Sequence, residues 1–261
     1  MKGKYSFHNK VFKTLQVMSQ KGNDVEKVSD LLKSAKRIAV LTGAGISAES
    51  GVPTFRGGGG TAVWKGMRFD KISSAEMVRS DLPAVWEWFD YRRGVLRACE
   101  PNPAHFAIAE WQERFESLTL VTQNIDGLHR AAGSRDVIEV HGNIHRSRCV
   151  NCSKLFQMSR DDVPHDPDMC KVCKSPVRPD VVLFGEMLPE GAHEKGAEAA
   201  ALCDIFFTIG TSALVYPAAA LPEVAKRAGA FLVEINPEET PLSHLCDVSL
   251  KGPAGEIVSK L

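Results

Sequence analysis

The sequence lacks both an excess of one charge and a long hydrophobic run. Its 32 lysine and arginine residues balance its 32 aspartate and glutamate residues. No global field therefore favours wrapping nucleic acid, and no acidic excess favours a disordered chain. The longest apolar run, residues 213–221, is far shorter than the roughly 20 residues that cross a bilayer. We expect neither direct nucleic-acid binding nor association with a membrane.

The first 22 residues also lack the features of a targeting segment. They hold five lysines, at positions 2, 4, 10, 13 and 21, and no acidic residue. The continuous apolar stretch and small-residue cleavage site of a secretory signal are missing, and the lack of arginine disfavours a transit peptide. We expect a flexible N-terminal extension over residues 1–23 and a cytoplasmic location.

What is present is the composition of an ordinary globular protein. The 261 residues, 44% hydrophobic and 25% charged, suffice for one large domain or for a large domain with a small satellite. Short apolar runs predict buried strands, and stretches with helical spacing lie between them. The predicted strands cover residues 37–42, 118–122, 137–140, 181–184, 205–209 and 231–235, and the predicted helices begin at Asp24 and cover 103–115, 193–202 and 217–228.

This alternation of buried strands and helices indicates an α/β fold, a Rossmann-like doubly wound parallel sheet. We assign residues 24–56, 103–142 and 181–261 to the sheet domain. Two segments do not join the alternation: residues 57–102, which are rich in glycine and then in tryptophan, and residues 143–180, which hold two cysteine pairs. We expect these two segments to form a smaller domain.

The cysteine spacing predicts a metal site. Cys149 and Cys152 form one C-x2-C pair, and Cys170 and Cys173 form a second, with 17 residues between the two pairs. This is the spacing of a four-cysteine zinc ribbon, in which all four zinc positions are filled by sulfur and none is open to a substrate water. We therefore predict one structural Zn²⁺, with four incidental cysteines as the alternative. The remaining cysteines (Cys99, Cys203 and Cys246) are predicted to be small buried hydrophobes.

A glycine motif follows the first predicted strand directly. Gly43-Ala44-Gly45-Ile46-Ser47-Ala48 reads G-x-G-x-x-A, a dinucleotide-binding fingerprint when a strand precedes it and a helix follows. Its alternative is a tight strand-to-helix turn. The glycine-rich loop that comes next, residues 51–60, stands where a dehydrogenase would finish its helix and enter a second strand.

Polar side chains follow two further strands. Gln123-Asn124-Ile125-Asp126 comes after strand 118–122, and His141 ends strand 137–140. Loops after the carboxyl ends of parallel strands are where such sheets hold ligands. His141 therefore offers a base with an ordinary pKa of about 6.5, and Asn124 and Asp126 offer groups that orient a ribose or an amide. The alternatives are a structural histidine and a turn role for Asn124 and Asp126.

Taken together, these motifs resemble the sirtuin family over about residues 30–258. The matching segments are Gly43 to Ser47, Thr54-Phe55-Arg56, Gln123 to Asp126, His141-Gly142, the two cysteine pairs, Val182 to Glu186, Gly210-Thr211-Ser212 and Ile235-Asn236. The resemblance implies NAD-dependent removal of acyl groups from protein lysine side chains. NAD would be consumed as a co-substrate, yielding nicotinamide and O-acyl-ADP-ribose.

The resemblance also implies roles for individual residues. His141 would be the general base, and Asn124 and Asp126 would position the ribose and nicotinamide. Val182, Leu183, Phe184, Gly185 and Glu186 would pair with the substrate peptide. The remaining NAD-binding residues implied in this way are Gly43, Ala44, Gly45, Ile46, Ser47, Thr54, Phe55, Arg56, Trp64, Gln123, Ile125, Gly210, Thr211, Ser212, Asn236, Pro237, Glu238 and Ala254.

The segment from Trp86 to Arg92 resembles the subgroup of sirtuins, class III, that handles succinyl and malonyl groups. That subgroup reads the acyl carboxylate with a Tyr-x-x-Arg pair, whereas this chain has Phe89 and Arg92. A neutral hydrogen bond is worth about 0.5–1.5 kcal/mol and a charge-assisted one about 1.5–3 kcal/mol. Since the larger contribution is kept, we predict desuccinylation that is weakened but retained, alongside deacetylation.

Three other functions use parts of the same pattern. Mono-ADP-ribosyl transfer to a protein side chain would use the same NAD site. A zinc-ribbon binding module with a regulatory NAD-sensing domain would bind without turnover, and the presence of His141 in a loop argues against it. A dehydrogenase is disfavoured because no acidic residue ends a second strand.

Overall fold

The computed structural model describes residues 24–54, 63–158 and 169–261. The predicted N-terminal extension therefore lies outside the described residues. The largest sheet has six parallel strands in the order β11-β10-β9-β1-β4-β5. These strands are β1 (Arg37–Thr42), β4 (Ser117–Thr122), β5 (Ile138–Glu139), β9 (Ile205–Ile209), β10 (Phe231–Asn236) and β11 (Val248–Lys251).

Side chains of the central strands are buried on both faces of this sheet. In β1, Ile38 and Val40 belong to one apolar core, and Ala39 and Leu41 belong to the other. Helices α1 (residues 24–34), α5 (Pro103–Arg114) and α9 (Ala254–Val258) contribute to the first core, and α7 (Ala192–Leu202) and α8 (Leu221–Arg227) to the second. A short helix, α6 (Leu128–Ala131), follows β4. Helices on both faces confirm the predicted doubly wound α/β fold.

The order of the strands fixes where a ligand can lie. From β1 the chain adds β4 and β5 on one side, then returns to add β9, β10 and β11 on the other side. The loops after β1 and β9 therefore leave the sheet in opposite directions. In sheets of this kind, ligands bind in the crevice that this reversal opens at the carboxyl ends of the strands.

A second sheet packs beside a set of helices. Its strands, in the antiparallel order β7-β6-β8, are β6 (Gly142–Cys149), β7 (Leu155–Gln157) and β8 (Val177–Val181). The helices are α2 (Phe69–Ile72), α3 (Ala75–Ser80) and α4 (Leu82–Leu96), and a hairpin of β2 (Val63–Trp64) and β3 (Met67–Arg68) precedes them. Trp86 of α4 donates from Nε1 to the Val177 carbonyl at 2.9 Å, which ties the helices to β8.

The strand predicted over residues 181–184 is wrong. The chain forms β8 at Val177–Val181 instead, and β8 pairs with β6 in the small antiparallel sheet. An apolar run shows that a strand is buried, but it does not show which sheet the strand joins. The division of the whole chain into two domains stays a prediction.

Within the described residues, no helix has both the length and the apolar composition needed to span a membrane.

Candidate active site

The loops after β1 and β9 contact each other closely at the reversal of strand order. Gly43 donates its amide to the Ile209 carbonyl at 3.0 Å, and Gly45 donates to the Gly210 carbonyl at 2.7 Å. A Cβ atom on Gly45 would lie 2.7 Å from the Gly210 Cα, and one on Gly210 would lie 2.2 Å from the Ile46 nitrogen. The sequence motif assigns Gly43 and Gly45 to the approach of a pyrophosphate. The structure adds a second reason for them, the packing of the two loops against each other.

The helix expected after the glycine motif is a 3-10 helix, η1 (Ala44–Ser50). It ends at Gly51, whose φ of 84° lies in the left-handed region that favours glycine. A 3-10 helix of seven residues has fewer aligned peptide dipoles than a long α-helix. The partial positive charge at its N-terminus is therefore weaker than the motif predicts. Thr54 follows within the described residues, whereas Phe55 and Arg56 lie outside them.

Buried polar groups from η1 and the loop after β4 meet in one cluster. Ser47 Oγ donates to Asp126 Oδ2 at 2.8 Å and accepts from Asn124 Nδ2 at 3.1 Å. Asn124 Nδ2 also donates to the Gly43 carbonyl at 3.1 Å. Burial raises the pKa of Asp126, although the Leu128 amide, the Ser47 hydroxyl and the charge of Arg92 oppose this rise. Three of the predicted site residues therefore form one connected polar group.

Sequence reasoning missed the histidine that supports this cluster. His105 of α5 accepts the Asn102 amide at Nδ1 (3.3 Å), so its proton lies on Nε2, which donates to Ser47 Oγ at 3.4 Å. Burial lowers the pKa of His105 to about 4, so its imidazole is neutral at pH 7. The Asn102 side chain also donates to the Ile46 carbonyl at 2.7 Å. The start of α5 therefore holds η1 in place.

A second buried histidine packs against the first. The rings of His105 and His129 lie 4.8 Å apart. His129 Nε2 donates to Thr42 Oγ1 at 3.0 Å, and Thr42 donates to Thr122 Oγ1 at 2.8 Å. Burial and the neighbouring His105 hold the pKa of His129 well below its ordinary value. This chain of hydrogen bonds joins the ends of β1 and β4 beneath the polar cluster.

His141 stands beside the cluster with a defined orientation. Its Nδ1 lies 2.9 Å from the carbonyl oxygen of Gln123. Because a carbonyl only accepts, Nδ1 carries the proton and Nε2 keeps its lone pair. Burial lowers the pKa of His141, and the bond to Gln123 only partly opposes this. The imidazole is therefore neutral and able to take a proton at Nε2.

Residues predicted to bind NAD meet around Thr211. Gln123 Nε2 donates to Thr211 Oγ1 at 2.9 Å, and Asn236 Nδ2 donates to the Thr211 carbonyl at 3.0 Å. Ser212 is half-buried, and Pro237 and Glu238 are exposed next to Asn236. Ala254 is buried at the start of α9. The side chain of Glu49 on η1 accepts the Gly255 amide at 2.6 Å, which brings α9 to the same edge of the sheet.

The segment predicted to bind the substrate peptide starts next to His141. Val182 donates its amide to the His141 carbonyl at 2.9 Å. Both backbone groups of Phe184 are already paired, with the Ser73 carbonyl at 2.9 Å and the Ala75 amide at 3.0 Å. The carboxylate of Glu186 binds the side chain of Arg178. The structure thus engages the backbone of Leu183 and Phe184 and the carboxylate of Glu186 internally. Pairing of a peptide with this segment stays a prediction for Val182 and Gly185.

The predicted acyl-reading residues lie on α4. The Arg92 guanidinium lies 6.0 Å from the Phe89 ring centre and 5.7 Å from that of Trp88. Phe89 is buried, and Tyr91 is 57% exposed, so Tyr91 does not take the place of the missing hydroxyl. Trp64, predicted to bind NAD, packs on the same helix, with its ring 5.8 Å from Trp88.

Arg92 is charged at neutral pH although it is partly buried. Burial lowers the pKa of Arg92 to about 10, and the carboxylate of Asp126 opposes this shift. A pKa of about 10 leaves the guanidinium protonated at pH 7. Arg92 and Asp126 therefore attract each other electrostatically. This attraction couples helix α4 to the polar cluster of Ser47, Asn124 and Asp126.

The four cysteines form a metal site. The sulfurs of Cys149, Cys152, Cys170 and Cys173 all lie within 4.8 Å of one another. The Cys149–Cys173 and Cys152–Cys170 distances are 3.4 and 3.6 Å. Tetrahedral Zn²⁺ with Zn–S bonds of about 2.3 Å places its sulfurs roughly 3.8 Å apart. The cluster thus fits one zinc ion with a complete set of thiolate ligands, as the cysteine spacing predicts.

Comparison with known proteins gives a consistent result. A model of the Sir2 family matches residues 43–217. "NAD-dependent protein deacylase 2" of Pyrobaculum aerophilum is 44% identical over 234 residues, which cover 90% of this chain and 93% of the relative. "NAD-dependent protein deacylase" of Thermus thermophilus is 46% identical over 236 residues, which cover 89% of this chain and 91% of the relative.

Solved structures agree with the same assignment. A Sir2 homolog–NAD complex is 39% identical, with a TM-score of 0.82, and the match covers 90% of this chain and 91% of that chain. A structure of Sir2 bound to acetylated peptide is 31% identical, with a TM-score of 0.78, covering 89% and 94%. Sequence, fold and metal cluster agree over most of the length, and the chain belongs to the Sir2 family, the sirtuins.

Proposed function

We propose that this chain is an NAD-dependent protein-lysine deacylase, which removes acyl groups from lysine side chains and releases nicotinamide and O-acyl-ADP-ribose. The observation that carries the proposal is the orientation of His141. Its Nδ1 is held by the Gln123 carbonyl, so Nε2 is free of its proton next to the cluster of Ser47, Asn124 and Asp126. The deacylase names of the relatives and their NAD and acetylated-peptide complexes support the same activity.

The described residues fit NAD at the reversal of strand order. The loops that begin at Gly43 and Gly210 meet there, and the amide side chains of Asn124 and Asn236 hold backbone groups of these loops. We propose that the first loop holds the pyrophosphate and that Asn236 and Glu238 hold the adenosine. When bound, NAD supplies the ribose carbon that accepts the acyl oxygen as nicotinamide leaves.

The protein's own groups then have separate tasks. Asp126, oriented by the Ser47 hydroxyl and the Leu128 amide, is proposed to orient the nicotinamide ribose together with Asn124. His141 Nε2 is proposed to take the proton of a ribose hydroxyl, since a neutral imidazole with a lowered pKa is unprotonated at pH 7. Class III membership, a cytoplasmic location and the absence of nucleic-acid or membrane partners stay predictions.

One experiment tests the reaction itself. The purified protein is incubated with NAD and an acetyl-lysine peptide, and the peptide is weighed by mass spectrometry. Deacylation lowers the mass of the peptide by one acetyl group and releases nicotinamide. A peptide or protein that instead gains an ADP-ribose indicates mono-ADP-ribosyl transfer, and unchanged NAD in the presence of acylated peptides contradicts both functions.

The acyl preference gives a prediction on Arg92. We expect wild type to cleave succinyl-lysine peptides measurably, because Arg92 offers a guanidinium to the acyl carboxylate. In Arg92→Met, the ratio of kcat/KM for succinyl over acetyl peptide is expected to fall by about 10- to 100-fold, the equivalent of a charge-assisted hydrogen bond. Matched peptide kinetics measure this ratio.

Arg79→Met is the control for this variant. Arg79 is exposed on α3, so the change removes one positive charge from the same set of helices and leaves the ratio unaltered. A ratio in Arg92→Met equal to that of wild type contradicts the assigned role of Arg92.

A further inference from the structure

The carboxylate of Glu186 is turned into the protein. Its two oxygens bind the two terminal nitrogens of Arg178, with Nη2 to Oε2 at 3.0 Å. Arg178 is only 5% exposed. Such a forked pair fixes the relative orientation of both planar groups as well as their distance. Glu186, which the sequence motif assigns to the substrate peptide, therefore points its charge away from solvent.

The same pair closes a turn at the end of β8. Leu183 donates its amide to Glu186 Oε2 at 2.9 Å, and Glu186 donates its own amide to the Leu183 carbonyl at 3.0 Å. Gly185 has a φ of 86°, which suits the third position of such a turn. Arg178 Nη2 also donates to the Val181 carbonyl at 2.6 Å. Arg178 and Glu186 thus tie the turn formed by residues 183–186 to the strand that precedes it.

This turn lies between the proposed base and the helices. Val182, just before it, is hydrogen-bonded to the His141 carbonyl, and Phe184 is paired with Ser73 and Ala75. Outward from the turn, the side chains of Phe184 and Met187 are 53% and 91% exposed. The ion pair, with Arg178 buried and Glu186 half-buried, is therefore on the inner side of the turn, and the outer side is exposed to solvent.

The charge of Glu186 is held by its partners. Burial by itself would raise the pKa of Glu186, but the hydrogen bonds from Arg178 and Leu183 outweigh this and hold the pKa below its ordinary value. A neutral side chain at this position would present a donor to the Arg178 fork and leave buried hydrogen-bonding groups of Arg178 unpaired. The shape of the turn therefore depends on a full negative charge.

We infer that Glu186 and Arg178 are positioning residues for the acylated peptide: their forked pair sets the turn 183–186, which the peptide backbone meets, without either side chain touching the substrate. This inference rests on the proposed deacylase function. It separates peptide binding from NAD binding, because among the described residues the hydrogen bonds of these two side chains go to each other and to Pro179, Val181 and Leu183.

The test is Glu186→Gln in the full-length, metal-loaded protein, with steady-state kinetics on an acetyl-lysine peptide and on a single acetyl-lysine blocked at both ends. We expect KM for the peptide to rise about tenfold, KM for NAD to change by less than about twofold, and the single blocked residue to be affected little. Arg178→Lys, which keeps the charge and loses the fork, is expected to show the same split.

Asp247→Asn is the matched control. Asp247 also accepts one hydrogen bond from a cation, Lys226 at 2.6 Å, and one from a backbone amide, Leu232 at 2.8 Å. It lies directly before β11, and neither KM is expected to change. Equal rises in both KM values, or an unchanged peptide KM in folded variants, overturn the inference. Binding of a fluorescent acetylated peptide, measured by anisotropy, tests the positioning role without turnover. The proposed deacylase function is tested separately, because absence of turnover by wild type refutes that function alone.

Discussion

Replacement of His141 by alanine is expected to lower kcat for deacylation by about 10²- to 10⁴-fold, the range that a general base contributes. The imidazole donates a hydrogen bond to the Gln123 carbonyl. The methyl group of alanine can supply neither that bond nor the lone pair at Nε2. Since the polar cluster of Ser47, Asn124 and Asp126 is held by its own contacts, KM for NAD is expected to change much less than kcat. Nicotinamide release and loss of the acyl group are measured together.

His244→Ala is the control for this variant, because His244 is exposed in the 3-10 helix of residues 243–245 and is not among the residues predicted for the site. It should be as active as wild type. A folded His141→Ala variant that keeps kcat within about tenfold of wild type contradicts the assignment of the base, since that is less than a general base contributes.

The pH profile of the wild-type enzyme tests the same residue without substitution. Burial lowers the pKa of His141, so its neutral form persists below the ordinary histidine value of about 6.5. The acidic limb of kcat/KM, which reports groups of the free enzyme, is therefore expected to have its midpoint below that value. A midpoint above it contradicts the lowered pKa.

The central strands could be predicted from the sequence because a strand buried on both faces appears as a run of consecutive apolar residues. Residues 205–209 and 231–235 are mostly apolar runs in the interior of the sheet, and β9 and β10 form there. The edge strand β11 was missed, since only Val248 and Leu250 are buried while Ser249 and Lys251 alternate with them. Four residues with one buried face carry a weak signal.

Within the site, many of the residues named from the sequence directly follow strands. Asn124 and His141 follow β4 and β5, and the sheet itself brings their loops to one edge. His105 and His129 reach Ser47 and Thr42 across 58 and 87 residues of chain, and no spacing predicts such contacts. The sequence likewise marks Glu186 but not Arg178, because only the fold shows which cation its carboxylate meets.

Loss of the metal is the largest expected effect on folding. Cys170 is buried, and it shares a small core with Cys149, Val177 and Trp86. Structural zinc sites contribute about 10–16 kcal/mol of binding free energy in small peptides, which is more than the apolar contacts of such a small core supply. We expect wild type to carry one zinc per chain and Cys170→Ser to carry much less.

The loss is expected to spread along defined contacts. Without the metal, β8 loses its support, and with it the bond from Trp86 to the Val177 carbonyl that holds α4. The main sheet keeps its own two cores. Hydrogen exchange should therefore accelerate first in β6, β8 and α4, while β1, β9 and β10 stay protected. Metal analysis and exchange mass spectrometry measure both effects.

Cys246→Ser gives the matched control, since Cys246 is a half-buried thiol outside the cluster whose Sγ bonds to the Leu242 carbonyl at 3.4 Å, a bond that a hydroxyl can also make. It should keep its zinc and its exchange pattern. If Cys170→Ser retained a full equivalent of zinc, the four-sulfur site would be wrong. If it lost the zinc while β6 and β8 stayed as protected as in wild type, the metal would have no structural role. Because β6 begins directly after His141 and β8 ends directly before Val182, the zinc ribbon supports the strands that flank the proposed base and the peptide-binding turn.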